Sequence, residues 1–196
     1  MPNVAIVYHS GYGHTKVVAE AVAQGAGKVS GTDVELIDAT TLKPPGQDKQ
    51  FGPEWAAVDS ADAIIMGCPT YMGSVSAGLK QFFEASSAKW MRQEWKDKLA
   101  AGFTNSGSMH GDKLNVLQDI MHFAMQHSMV WVGLDLMPGN NSSQSSPDDL
   151  NRIGSSTGVM TQANVDQGAD EAPPKSDRDT AARLGERVAE WAAKVS

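Results

Sequence analysis

The sequence has a single cysteine and fewer basic than acidic residues. Cys68 cannot form an intrachain disulfide on its own. Its position at the end of an apolar run is typical of a packed thiol more than of a nucleophile. Lysine and arginine number 16 against 23 aspartates and glutamates, for a net charge of -7. Because binding to a phosphate backbone requires clustered positive charge, we expect no nucleic-acid partner. We also expect no metal site.

Long hydrophobic runs are also missing. No apolar stretch approaches the ~18 to 20 residues that a membrane span requires, and the N-terminus lacks a charged-then-apolar secretory signal. The sequence therefore predicts a cytoplasmic protein without a membrane span. A chain of 196 residues is long enough for one sizeable core and short for two ordinary ones, so we expect a single domain over residues 1–196.

Hydrophobic patterning predicts strands that alternate with helices. The predicted strands cover residues 4–8, 33–38, 63–67, 99–104 and 129–134. Helices are predicted after the first strand, over 54–60 and 74–85, around a stripe of Leu114, Leu117, Met121 and Met125, and from Ser176 to the C-terminus. With right-handed crossovers, this order gives an α/β three-layer sandwich: a five-stranded parallel sheet with helices on both faces.

The remaining stretches are loops. A loop is expected after the second strand up to about Pro53, because Pro44 and Pro45 forbid regular structure there. The stretch from 137 to 174 is rich in Ser, Asn, Pro and Gly and has little periodicity. Loops of this length in compact domains are usually functional or disordered, and we favour a partly ordered functional loop.

The turn after the first strand combines hydroxyls and glycines just before a predicted helix. Residues 10–15 read Ser-Gly-Tyr-Gly-His-Thr, and the backbone N–H groups at a helix N-terminus attract phosphate. The spacing matches neither the dinucleotide fingerprint nor a P-loop, so a small monophosphate is the expected ligand. On this turn alone, a purely structural interpretation is equally good, because any parallel α/β protein needs a polar turn here.

Two later turns belong to the same predicted edge of the sheet, since ligands bind beyond the carboxyl ends of parallel strands. Residues 69–73 supply a tyrosine ring and small residues, and residues 105–111 supply hydroxyls and backbone amides. This combination suits a flat aromatic ligand with polar edges and a phosphate tail. Flavin mononucleotide (FMN) fits that description.

Five motifs occur in an order that resembles a known family. They are Tyr8-x-Ser10-x-Tyr12-Gly13-His14, Gly67-x-Pro69-Thr70-x-x-Gly73 before a helix with Phe82, Trp90, Ser106-Gly107, and His127-x-Met129-Val130. In these motifs the chain resembles the flavodoxin-like proteins, and among them the WrbA-type NAD(P)H:quinone oxidoreductases, over most of its length. The resemblance implies strand order 2-1-3-4-5, for which flavodoxin is itself the standard example. It also implies an FMN enzyme that passes a hydride from NAD(P)H to a quinone in ping-pong order, as a homodimer or homotetramer.

The resemblance also implies roles for individual residues. The phosphate would be held by Ser10, Gly11, Tyr12, Gly13, His14 and Thr15, and the ring would lie along Pro69, Thr70, Tyr71, Met72 and Gly73. The other edge of the ring would be wrapped by Asn105, Ser106, Gly107, Ser108, Met109 and His110. Tyr12 would also meet the nicotinamide, and the catalytic candidates are Trp90, as a roof over the substrate, and His127, as a proton donor to a reduced quinone.

Purely structural roles for Trp90 and His127, and other functions for the chain, are also open. Trp90 fits a surface aromatic packed on Trp95, and His127 fits a histidine at a helix C-terminus. For the whole chain, the main rival is a one-electron carrier flavodoxin, in which the acidic surface guides redox partners and Tyr71 flanks the ring. A binding module without redox activity would require the phosphate turn at 10–15 to be vestigial.

Overall fold

A twisted β-sheet forms the centre of the computed structural model, which describes residues 1–47 and 50–195. The strands are β1 (Asn3–Tyr8), β2 (Asp33–Asp38), β3 (Ala63–Tyr71), β4 (Ser74–Val75), β5 (Leu99–Ser106), β6 (Val130–Trp131) and β7 (Val159–Gln162). The helices are α1 (His14–Ala26), α2 (Ala56–Ser60), α3 (Ala77–Ala85), α4 (Ser87–Arg92), α5 (Lys113–Gln126) and α6 (Lys175–Val195), with 3-10 turns at Ala39–Thr41 and Pro53–Trp55. The predicted loop up to Pro53 includes positions 48 and 49, and the predicted domain includes position 196, which lie outside the described residues.

The strand order is β2-β1-β3-β5-β6, and these neighbours pair in parallel. This order confirms the predicted flavodoxin-like arrangement, in which the chain moves outward from β1 in both directions. The sheet has seven strands rather than five, because β4 pairs antiparallel with β3 and β7 pairs in parallel with β5.

The predicted fifth strand is divided between two segments. β6 pairs with only the first two residues of β5, and β7 pairs with its last four, from Phe103 to Ser106. The change of partner falls at Gly102, where Gly158 comes so close that a Cβ on it would lie 2.3 Å from the Gly102 carbonyl oxygen. The prediction of one continuous strand over 129–134 was therefore wrong, because the chain leaves the sheet early and returns after residue 158.

Several element boundaries also differ from the prediction. β3 continues to Tyr71, because Pro69 pairs with Asn105 of β5 and Thr70 with Val75 of β4. The predicted helix over 74–85 begins only at 77, after β4. In α5 the buried face consists of Lys113, Val116, Leu117, Ile120 and Ala124, so the predicted stripe was correct only at Leu117.

Apolar side chains cover both faces of the sheet. Alternate residues of β1 and β3 point to opposite faces. On one face Ile6 and Ile65 join Val22 and Leu184 from α1 and α6. On the other, the sheet packs against side chains of α3 and α5 and against a group of buried aromatic rings, namely Trp55, Phe82 and Trp95. None of the described helices is both long and apolar enough to cross a membrane.

Candidate functional site

A cavity of about 510 Å³ opens beyond the carboxyl ends of β1, β3 and β5. The three turns singled out from the sequence meet there, as expected where parallel strands end side by side. The lining residues are Ser10, Gly11, Tyr12, His14, Thr15, Pro69, Thr70, Tyr71, Asn105, Ser106, Gly107, Ala163, Val165, Gln167 and Gly168. Eleven of these fifteen positions were predicted as cofactor-binding residues.

One end of the cavity is the N-terminus of α1. Gly13 precedes the helix with φ of 93°, a left-handed conformation that glycine adopts readily. The Ser10 hydroxyl accepts a hydrogen bond from the Gly13 N–H at 3.1 Å, which shapes the turn. Within the described residues, no side chain caps this helix. Its first N–H groups also lack intrahelical partners, so this end of the cavity can receive an anion.

Tyr71 and Thr70 form a wall at the end of β3. A Cβ on Gly11 would lie 2.4 Å from the Tyr71 hydroxyl oxygen, so only glycine at position 11 allows the ring to take this place. Partial burial raises the pKa of Tyr71, which keeps its hydroxyl protonated at neutral pH. The Thr104 hydroxyl donates to the Cys68 carbonyl at 2.7 Å, so Thr70 must donate to Thr104 across 2.9 Å. The Thr70 oxygen can then accept a hydrogen bond from a ligand N–H.

Lys113, the first residue of α5, hydrogen-bonds to the turn after β5. Its Nζ donates to the Ser106 hydroxyl at 2.8 Å and to the carbonyls of Ser108 and Met109 at 2.7 and 3.0 Å. Burial lowers the pKa of Lys113 to about 8. The sequence reasoning did not identify Lys113, although a lysine one helical turn before Leu117, on the apolar face of a predicted helix, was a usable signal.

A second element that the sequence reasoning missed is the wall formed by residues 163–168. This segment follows β7 and is joined to α1 by a 2.8 Å hydrogen bond between His14 Nε2 and the Gln167 carbonyl oxygen. The Ala163 N–H donates to the Ser106 carbonyl at 3.1 Å. The segment lies within the stretch predicted to be a functional loop, but no spacing in the sequence marked these particular residues.

Six predicted cofactor-binding residues do not line the cavity. They are Gly13, Met72, Gly73, Ser108, Met109 and His110. Met72 is fully exposed with φ of 49°, and Gly73 has φ of 75°. These are the two central residues of the tight β3–β4 hairpin, where positive φ is required. These residues shape the neighbouring turns, and their direct contact with a cofactor stays a prediction.

The two catalytic candidates lie elsewhere. Trp90 and His127 line a second cavity of about 540 Å³ between the α3–α4 region and α5. The structure thus brings Trp90 and His127 together with each other, but not with the three turns. Trp90 is 43% exposed, and the ring of Trp95 stacks on His127 and Trp55 instead of on Trp90.

His127 is a buried, neutral histidine. It is 1% exposed, its ring centroid lies 4.5 Å from that of Trp95, and burial lowers its pKa to about 4. The Ser86 hydroxyl donates to the Phe83 carbonyl, so it accepts a hydrogen bond from His127 Nε2, 3.1 Å away. Nδ1 is then unprotonated and has no partner among the described residues. These contacts suit a core histidine; the proton-donor role stays a prediction.

Cys68 is a fully buried residue of β3. Burial raises the pKa of Cys68 to about 11, so the thiol stays protonated, as a packed side chain would. The part of the chain that the structure describes contains no group of three or more His, Cys, Asp or Glu placed to hold a metal ion.

Comparison with known proteins places this geometry among flavin-binding proteins. The family model described as NADPH-dependent FMN reductase matches residues 3–140. Flavodoxin FldP of Pseudomonas aeruginosa is 40% identical over 190 residues, which cover 96% of each chain. An NAD(P)H dehydrogenase (quinone) of Geobacter sulfurreducens is 35% identical and covers 99% of each chain. The crystal structure of a flavodoxin, WrbA-like protein from Agrobacterium tumefaciens has a TM-score of 0.74, with 38% identity and full coverage of both chains.

Proposed function

Because the chain belongs to the NADPH-dependent FMN reductase family, we propose that it is an FMN-dependent enzyme that uses NAD(P)H to reduce a quinone. The observation that carries this proposal is the cavity at the sheet edge, which joins an anion-binding helix terminus to a wall of hydroxyl and aromatic groups. When FMN is bound, it supplies the hydride-transfer chemistry. The protein residues bind, orient and shield it.

The residues present fit FMN in charge and shape. The terminal phosphate would bind at the start of α1, where Ser10 and Thr15 line the cavity and the first helical N–H groups have no intrahelical partner. The ring would lie among the remaining lining residues, which are Tyr71 and its neighbours on β3 and the 105–107 and 163–168 segments. A volume of about 510 Å³ lies within the range of cofactor pockets.

Tyr12 and Tyr71 define where the substrates enter. Tyr12 is 82% exposed and Tyr71 39% exposed at the cavity mouth, where NAD(P)H and then a quinone would meet the ring in turn. Trp90 and His127 remain candidates for the acceptor side. Since they line a separate cavity of the same chain, their predicted roles are most consistent with a homodimer or homotetramer, in which surfaces of two copies meet. The cytoplasmic location is part of the same proposal.

A one-electron carrier is the second candidate. The specific observation in its favour is the 40% identity to a protein named flavodoxin over nearly the whole chain. A carrier needs a partner reductase and no substrate cavity, whereas an enzyme accepts NAD(P)H directly. The two candidates share the FMN site and differ only in what approaches its mouth.

One experiment separates them. The protein is purified, its flavin is extracted and identified, and NADPH is added without oxygen to the purified protein alone. We expect FMN, not FAD, and bleaching of the yellow colour by NADPH, followed by recovery when a benzoquinone is added. Bleaching only in the presence of a separate reductase would identify a carrier. Recovery of FAD, or of no flavin after reconstitution with excess FMN, would contradict both candidates.

A further inference from the structure

Lys113 is a buried cation whose hydrogen-bond acceptors are all neutral. The residue is 1% exposed. Its three acceptors are one hydroxyl and two carbonyl oxygens, all in the turn after β5. Among the described residues, no carboxylate forms an ion pair with it. The charges that act on it are Asp177 and Arg152, which pair with each other at 2.7 Å. The ammonium therefore has no counter-ion of its own.

Lys89 is a second buried lysine in the same molecule, and its charge is paired with two carboxylates. It is 2% exposed, and its Nζ lies 2.7 Å from Asp59 and 3.3 Å from Glu94. Burying an unpaired charge is costly, and burial accordingly lowers the pKa of Lys113. A lysine kept in this state points to a negative charge supplied from outside the described residues.

The position of Lys113 indicates where that charge would be. Its ammonium hydrogen-bonds to the Ser106 hydroxyl, which in turn donates to the Ser108 carbonyl at 2.9 Å. Ser106 lines the cavity at the end of β5, the strand that pairs with β3. The phosphate end of the cavity, by contrast, is formed by the start of α1. Lys113 thus lies beneath a turn that lines the cavity.

We propose that Lys113 is a positioning residue that stabilises negative charge on the flavin ring and so favours the reduced cofactor. This inference rests on the proposed function. In that reaction NAD(P)H gives up a hydride, which is two electrons and one proton, and becomes NAD(P)⁺, so the flavin gains one negative charge. The Lys113 ammonium acts on this new charge through space, across the turn after β5, while its three hydrogen bonds keep the turn in place.

The test compares the affinities of the protein for oxidised and reduced FMN. In the full-length protein, Lys113→Met and Lys113→Gln remove the charge, and Gln retains a donor for the turn. We expect both to weaken binding of reduced FMN relative to oxidised FMN by about tenfold, as judged with an effective dielectric constant near ~20. A tenfold change lowers the two-electron midpoint potential by about 30 mV. The potential is measured by spectroscopic titration against a reference dye.

Two control variants separate charge from folding. Lys113→Arg retains the cation and should keep the potential close to that of the unmodified protein. Lys89→Met removes a buried cation far from the turn after β5, and should lower stability without changing the potential. An unchanged potential in Lys113→Met and Lys113→Gln, or an equal drop in Lys113→Arg, would overturn the proposal.

Loss of folding in the neutral Lys113 variants would also decide against the proposal. If both neutral variants lose their cooperative unfolding transition while Lys113→Arg keeps it, the charge serves the turn alone and the proposal is overturned. If the unmodified protein does not bind FMN, the proposed function itself fails. If it binds FMN and all variants share one potential, only the inference about Lys113 fails.

Discussion

At the scale of single residues, Thr15 tests the phosphate end of the cavity. It is 2% exposed and lines the cavity at the start of α1. Hydrogen bonds to charged groups contribute ~1.5 to 3 kcal/mol, so Thr15→Val should weaken FMN binding by about tenfold or more. Thr32→Val is the matched control, because the Thr32 hydroxyl is buried without a partner within the described chain. Fluorescence titration of the apoprotein gives both dissociation constants; equal values would place the phosphate elsewhere.

Trp90 tests the acceptor side. If Trp90 roofs the substrate space, Trp90→Ala should leave the FMN affinity and spectrum unchanged. It should lower kcat/KM for a small benzoquinone by about two- to twelvefold, from the ~0.5 to 1.5 kcal/mol of a stacked aromatic pair. Trp191 on α6 has a similar exposure, 40% against 43%, so Trp191→Ala controls for loss of a surface indole. Equal kcat/KM values in the two variants would show that Trp90 does not contact the quinone.

The lowered pKa of His127 predicts how the free energy of unfolding depends on pH. Its pKa falls from 6.5 to about 4 on folding, so between these values the unfolded chain binds more protons. Its contribution is complete above pH 6.5 and is lost as the pH falls toward 4. Urea unfolding at pH 7 and pH 5 should give a loss of about 2 kcal/mol from this group.

The control compares two histidines of opposite exposure. His127→Phe should remove this part of the pH dependence, while His110→Gln should not, because the His110 side chain is 86% exposed. A pH dependence that is the same in all three proteins would show that His127 is protonated equally in the folded and unfolded states.

At the scale of elements, α1 and α6 approach each other through glycines. A Cβ on Gly185 would lie 1.9 Å from the Val22 carbonyl oxygen, and one on Gly25 would lie 1.8 Å from that of Ala182. Backbone cannot give way as a flexible side chain can, so Gly185→Ala should destabilise the fold by at least about 2 kcal/mol. Urea unfolding measures the loss. Gly27→Ala is the control, because its Cβ would come no closer than 3.4 Å to its neighbours and φ is already -68°.

At the scale of the whole molecule, one buried ion pair joins three parts of the chain. The Arg152 guanidinium, in the segment between β6 and β7, binds both oxygens of Asp177 on α6 at 2.7 and 2.9 Å. Asp177 also accepts the Gln162 N–H of β7 at 2.8 Å. The pair therefore holds β7, and with it the cavity wall that follows, against α6.

Removing one partner should leave a buried charge uncompensated. Arg152→Met should cost about 3 to 5 kcal/mol of folding free energy and should also weaken FMN binding, because residues 163–168 lose their support. Lys175→Met, which breaks the exposed pair with Asp179, should change neither. Urea unfolding and FMN titration measure the two effects. Full stability in Arg152→Met would mean that the pair is not needed to hold β7.

The sequence alone was sufficient for the parallel sheet and for the meeting of three turns, and its resemblance to flavodoxin-like proteins supplied the strand order. Residues 4–8 and 63–67 are apolar throughout, a pattern that parallel strands require because both faces are covered. Once the strands are parallel and in this order, the turns at 10–15, 69–73 and 105–111 must lie at one edge. These local patterns act over a few residues, so they can be read without knowing what packs against them.

Only the tertiary structure decided the features that depend on distant partners. The split of the outer strand between β6 and β7 depends on the close approach of Gly158 to Gly102. The wall at 163–168 depends on the hydrogen bond from His14 to Gln167. In each case the deciding contact joins residues whose pairing has no local signature, because it is made only when sheet, helix and loop are assembled together.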